Sequence, residues 1–331
     1  MSTVTVMGSG SWGTAMASTL CDNDHRVTLW ARRPEVCSKI NTEHRNPDYF
    51  PDLILPDHLS AESDPSRAMA DAQFVVLAVP SQTLRENLGQ WRLPDNAIVV
   101  SLAKGVEVGT GMRMSEVIME VTGISPDRIA VLTGPNLSHE IAARQPAAAV
   151  VASARQETAI AVQQLFHTAT FRPYTNNDVL GCELGGATKN VIALAVGVAA
   201  GMGYGANSAA SLITRGLAEI IRLGEAMGAD PHTFSGLAGI GDLVATCSSP
   251  LSRNRTFGEE LGRGRTVGEI SGSTRQVAEG VKSCKSIKAL ADRYQVEMPI
   301  THAVCAVIDG QIAPDALVQT LLARAAKPER Y

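Results

Sequence analysis

Val4-Thr5-Val6-Met7-Gly8-Ser9-Gly10-Ser11-Trp12-Gly13-Thr14-Ala15 carries a strand-like run straight into G-x-G-x-x-G and then into an apolar-periodic helix, Thr14 to Cys21. Glycine-rich turns are common, so the motif gains its meaning from lying between a strand and a helix. Gly8 permits the tight turn, Gly10 lets the backbone approach a pyrophosphate, and Gly13 lets helix and strand pack closely. The helix N-terminus adds free N–H groups and the positive end of a dipole. A dinucleotide held by Gly8, Gly10, Ser11, Trp12 and Gly13 is the expectation.

Outward from this turn, β-rich runs recur at Arg26–Trp30, Phe74–Val79, Ala97–Leu102, Arg128–Leu132 and Ala147–Val151, with helical spacing between them at 112–121 and 137–143. Near-continuous apolar runs suit parallel strands buried on both faces, so the order implies an α/β, Rossmann-type doubly wound sheet. A helix at 158–167 and an edge strand at 171–174 would complete it. Beyond about Asp178 strand signals stop, and helices are expected at 182–200, 207–227, 283–294 and 299–309, some opened by proline as at Pro231, Pro299 and Pro314. The division expected is residues 1–181 for the dinucleotide domain and 182–331 for an all-helical substrate domain, with a cleft at the hinge near 180–185.

Composition agrees with two cores: 331 residues, of which 45% are hydrophobic and 19% charged. A net charge of -4 offers no global field for nucleic acid. The six cysteines form no C-x-x-C pair and no zinc-spaced Cys/His cluster, and are expected to be reduced, mostly buried thiols with no metal. The early strand leaves no room for a signal peptide, which points to the cytoplasm. Asn190 to Thr214 is uncharged, but its glycines break the apolar run well short of the ~20 residues a span needs. A buried helix and no membrane insertion are expected.

The second strand ends at Ala31-Arg32-Arg33, where an acidic residue would normally hold the adenosine ribose. Guanidinium groups there would instead bind a 2′-phosphate, so NADP is favoured over NAD. The alternative is that both arginines form a solvated helix start.

Several polar residues stand in apolar or glycine-rich surroundings: Lys104 after the 97–102 strand, Lys189 at the front of the uncharged helix, Asp242 after Gly239-Ile240-Gly241, and Ser252-Arg253-Asn254 ten residues on. In this setting the chain resembles the bacterial-type NAD(P)-dependent glycerol-3-phosphate dehydrogenases, through GSGSWGTA (8–15), SLAKGVE (101–107), TGPNLSHEIA (133–142), ELGGATKNVIALAVGVAAGMGYGANS (183–208), LITRGLAEI (212–220), GIGDLVATC (239–247), SRNRTFG (252–258) and VAEG (277–280).

The resemblance implies a Rossmann-type sheet followed by a helical domain like the C-terminal part of 6-phosphogluconate dehydrogenase. It implies NAD(P)-dependent, reversible reduction of dihydroxyacetone phosphate to sn-glycerol 3-phosphate, feeding glycerophospholipid synthesis, by a homodimer. It makes Lys189 the general acid/base. Lys104 would lower the Lys189 pKa, polarise the carbonyl and hold substrate, and Asp242 would orient Lys189 or bind a hydroxyl. Ser252, Arg253 and Asn254, in one short loop, would clamp the phosphate. Gly134 would lie against substrate, Ser138 and Lys104 beside the cofactor, and Arg253, Val277 and Glu279 near the far side of the dinucleotide. Asn136 departs from the Thr or Ser of many relatives and is left outside this set. His139 is the alternative base. Two rival readings are another Rossmann-plus-helical β-hydroxyacid-type dehydrogenase, such as a ketopantoate reductase, and a non-catalytic dinucleotide sensor.

Overall fold

The apolar runs assemble into one eight-stranded sheet in this computed structural model, in which residues 1–273 and 279–322 are described. The strands are β1 (Thr3–Met7), β2 (Arg26–Trp30), β3 (Ser60–Glu62), β4 (Phe74–Leu77), β5 (Ile98–Ser101), β6 (Ile129–Thr133), β7 (Ala147–Ala152) and β8 (Phe171–Asn176), ordered 3-2-1-4-5-6-7-8. The order reverses at β1, between β2 and β4, and open α/β sheets bind ligands beyond the carboxyl ends of strands at such a switch point.

Helices α1 (Ser11–Cys21), α2 (Pro34–Glu43), α3 (Pro65–Met69), α4 (Leu84–Gln90), α5 (Met114–Thr122), α6 (Ser138–Ala142) and α7 (Gln156–Phe166) accompany this sheet. Met16, Leu20 and Phe166 belong to one apolar core against it, and Met69, Leu88 and Ile118 to another. Two features depart from the sequence reading. Edge strand β3 is only three residues, Ser-Ala-Glu, with no β-branched signal to announce it. And β7 runs antiparallel to β6, with β8 parallel to β7. The β6–β7 connection contains only the five-residue α6, packed on α1, where a parallel crossover ordinarily needs a longer helix.

The remaining described residues form helices: α8 (Val179–Gly201), α9 (Ala206–Met227), α10 (Asp242–Ser248), α11 (Arg253–Gly262), α12 (Val267–Ser273), α13 (Glu279–Arg293), α14 (Pro299–Ile308) and α15 (Pro314–Leu322). The 181/182 division falls inside the first turn of α8, whose start is capped by Asp178 through the Gly181 N–H at 2.8 Å. Arg113 and Ser115 at the head of α5 bind Glu183 of α8 at 2.6–2.8 Å, tying the sheet to the helices.

Helix α8 is long and apolar enough to cross a membrane, but 89% of its most apolar window is buried inside the protein. Its glycines serve helix packing: Gly197 and Gly201 face Gly258 and Gly262 of α11 so closely that a methyl group at any of them would overlap the partner's backbone. This contact fixes the start of α11 against the middle of α8. The cysteine expectation needs one correction. Cys284 of α13 and Cys305 of α14 form a disulfide with Cα atoms 5.9 Å apart, whereas Cys21, Cys37, Cys182 and Cys247 are free and buried. The two residues stand 21 positions apart with no motif, and only helix packing brings them together.

Candidate active site

The dinucleotide turn is built as its glycines require. Gly8 has φ +130, and a side chain at Gly13 would collide with the Gly8 carbonyl. Gly10 caps α1 without any side-chain partner, and the first turn of α1 has no acidic residue, so its N–H groups can receive an anion. Asn46 steadies the turn by donating to the Ser9 carbonyl at 2.9 Å and to Thr14 Oγ1 at 2.8 Å. Gly8, Gly10, Ser11, Trp12, Arg32, Tyr49, Lys104, Arg253 and Glu279 line one cleft. Ser138 joins it through a 2.6 Å hydroxyl contact with Ser11. Buried Trp12 Nε1 has no protein partner, another unused donor, and the whole set fits a dinucleotide.

At the end of β2 the two arginines part company. Arg32 lines the cleft, whereas Arg33 donates to Asp48 and lies 3.8 Å from Glu35. Neither carboxylate figured in the sequence reading of this site.

A second, contiguous cleft shares Trp12, Leu102, Lys104, Arg253 and Glu279 with the first and reaches Lys189. Lys104 Nζ donates to Asp242 Oδ2 at 2.7 Å and to the Gly134 carbonyl at 2.8 Å. Lys189 Nζ donates to Asp242 Oδ1 and, at 2.8 Å, to Thr246 Oγ1. Three remote segments thus place two ammonium groups on one carboxylate. A five-residue π-turn, Leu237–Gly241, runs into α10 and sets Asp242 at its first position, with Thr246 one turn on. Lys189 is 7% exposed and Asp242 1%. Burial pushes the Lys189 ammonium down to about 8, with Lys104 acting in the same direction and Asp242 opposing both.

Ser252, Arg253 and Asn254 form the N-cap and first turn of α11, where a loop was expected. Ser252 Oγ accepts from the Arg255 N–H at 3.3 Å. Asn254 bridges α8 and α13, donating to Asn190 Oδ1 and accepting from the Gly280 N–H, both at 2.9 Å. Arg253 reaches both clefts. A guanidinium beside a helix N-terminus can hold a dianion. Glu279 opens α13 and accepts from the Ser81 N–H at 3.4 Å; burial raises its carboxyl, and the Arg253 charge opposes this. Val277 lies outside the described residues.

Sequence reasoning missed Thr246, Asn190 and Tyr49. Thr246 and Asn190 stood inside the quoted motifs, one a helical turn after Asp242 and the other next to Lys189, and Tyr49 belonged to no motif. Asn136 lines the cleft with both amide atoms buried and unpartnered, and His139 packs on Phe50 with ring centroids 4.9 Å apart.

Comparison with known proteins meets this geometry from outside. Residues 3–159 match the model of the NAD-dependent glycerol-3-phosphate dehydrogenase N-terminus, and residues 178–319 that of the C-terminus. A glycerol-3-phosphate dehydrogenase [NAD(P)+] from Thermobifida fusca is 59% identical, over 100% of this chain and 99% of its own. The crystal structure of glycerol-3-phosphate dehydrogenase from Coxiella burnetii superposes with a TM-score of 0.93 at 34% identity, covering 98% of this chain and 99% of the other. A ketopantoate reductase family protein from Ralstonia eutropha shares the fold at 16% identity and a TM-score of 0.59, covering 96% of this chain and 99% of its own, a likeness of architecture alone. With both halves matched and full-length identity well above half, the chain belongs to the NAD-dependent glycerol-3-phosphate dehydrogenase family.

Proposed function

We propose that the contiguous clefts interconvert dihydroxyacetone phosphate and sn-glycerol 3-phosphate, with Lys189 exchanging the proton at the C2 oxygen. Bound NAD(P) supplies or accepts the hydride. In reduction the Lys189 ammonium gives a proton to the oxygen as that carbon becomes an alcohol; in oxidation the neutral amine takes the hydroxyl proton. The observation that carries this reading is the Lys189–Asp242–Lys104 cluster, in which burial and a second cation bring Lys189 to about 8, so that both protonation states are accessible near neutral pH.

The other residues take roles their positions support. Lys104 polarises the C2 carbonyl while the Gly134 carbonyl and Asp242 hold its ammonium. Asp242 and Thr246 fix the direction of the Lys189 amine. Arg253 and the α11 N-terminus opened by Ser252 and Asn254 take the substrate phosphate, and Glu279 accepts from a ribose hydroxyl. The turn from Gly8 to Gly13 takes the pyrophosphate, and Arg32 and Arg33 favour NADP. Val277 completes the cofactor set on resemblance alone. Cytoplasmic residence, a homodimer and supply of glycerophospholipid synthesis belong to the same proposal.

The test is consumption of NADPH or NADH with dihydroxyacetone phosphate, wild type against Lys189→Ala. Oxidation by wild type alone supports the reading. Undiminished turnover in Lys189→Ala contradicts the role of Lys189, and binding of cofactor without turnover in wild type contradicts the substrate.

A further inference from the structure

At the β2 end, Ala31-Arg32-Arg33 puts two cations where an acidic residue would hold the ribose, a pattern that favours NADPH. The fold changes that balance. Arg33 donates through Nη2 to Asp48, fifteen residues on, and its Nε lies 3.8 Å from Glu35. One guanidinium, that of Arg33, therefore meets two carboxylates. Asp48 occupies a built position: Asn46 is tied to Ser9 and Thr14 of the glycine turn, the Tyr49 and Phe50 N–H groups donate to the Asn46 carbonyl at 3.2 and 2.9 Å, and Tyr49 itself lines the dinucleotide cleft. The loop brings to the strand end the carboxylate that the strand lacks.

We propose that Asp48 is a specificity-determining residue that restrains preference for NADPH by competing with the 2′-phosphate for Arg33. A 2′-phosphate carries nearly two negative charges and accepts well from a guanidinium fork. To use Arg33 it must share or displace Asp48, and it meets the repulsion of Asp48 and Glu35 as it does so. NADH brings only a hydroxyl and meets no such repulsion; a carboxylate is the usual acceptor for that hydroxyl. The result is an enzyme able to use both cofactors, with Arg32, which faces the cleft, as the cation first available to NADPH. This inference rests on the reading of Arg32 and Arg33 as the 2′-phosphate site.

Isothermal titration of NADPH and NADH against the whole protein, without substrate, tests it independently of turnover. In Asp48→Asn the ratio of NADH to NADPH dissociation constants should rise about two- to fivefold, the scale of one exposed charge pair, and the gain should shrink as salt is added. Asp48→Ser should behave alike, and Arg33→Ala should abolish the gain in the double variant. A fall in NADPH affinity in both Asp48 variants would overturn the proposal, because Asp48 would then be orienting Arg33 for the phosphate. If Arg33→Ala weakens NADPH selectively but the Asp48 variants leave the ratio unchanged, this inference alone fails. If Arg32→Ala and Arg33→Ala both leave the ratio unchanged, the 2′-phosphate reading fails and takes the inference with it.

Discussion

Two clusters in this molecule join three charged side chains each, two cations on one carboxylate in the first and one cation between two carboxylates in the second, and solvent makes them different devices. At Lys104, Lys189 and Asp242, two ammonium groups share one carboxylate, with the Asp242 side chain 1% exposed and that of Lys189 8%. Water screens little there, so burial, with Lys104 adding to it and Asp242 opposing both, moves the proton equilibrium of Lys189 by a chemically useful amount. At Arg33, Asp48 and Glu35 the side chains are 51%, 34% and 63% exposed. Opposite charges there are screened and cheaply re-paired, which suits choosing between two ligands more than tuning an acid.

The largest effects are expected at the buried cluster. Lys189→Ala should lower kcat by about 10²–10⁴-fold with the circular dichroism spectrum unchanged, the usual range for losing a general acid/base. Next, Asp242→Ala leaves the buried Lys189 ammonium and the partly buried Lys104 ammonium without their shared anion. Urea titration should then show a loss of about 3–5 kcal/mol in stability, together with loss of activity. A stability change near zero would mean that water enters the cluster and the contrast in burial is weaker than drawn. Arg253→Ala lies between the two regimes. It should raise KM for dihydroxyacetone phosphate about tenfold or more while kcat changes less, since a charged hydrogen bond to phosphate holds substrate in both ground and transition states. Smallest is the exposed pair: Arg33→Ala should leave the thermal unfolding midpoint unmoved and alter only the NADPH/NADH ratio.

The sequence made the first cluster legible by resemblance and the second only by half. Seven strands stood out as apolar β-rich runs, and G-x-G-x-x-G located the cleft because its chemistry is local. Edge strand β3 and the reversal of β7 were not legible: one is three weakly propensed residues, and the other depends on what α6 packs against. Lys104, Lys189 and Asp242 could be picked out as charges in apolar surroundings, but their shared contact spans separations of 53 and 138 residues, which no local pattern encodes. Thr246 and Asp48 carry no signal of their own; each matters through the cation it touches. The α8 glycines read as interruptions of an apolar run, and their purpose emerged only with α11 packed against them.

If Lys189 exchanges the proton and its neighbours set its equilibrium, the pH dependence of kcat/KM for sn-glycerol 3-phosphate oxidation must follow their charges. Oxidation needs the neutral amine, so the rate should rise with pH through an inflection near 8 in the wild type. Removing a neighbouring cation in Lys104→Met should move that inflection up, and removing the anion in Asp242→Asn should move it down. An inflection that stays in place in both variants would contradict the account, as would one at the ordinary lysine value of about 10.4 in the wild type.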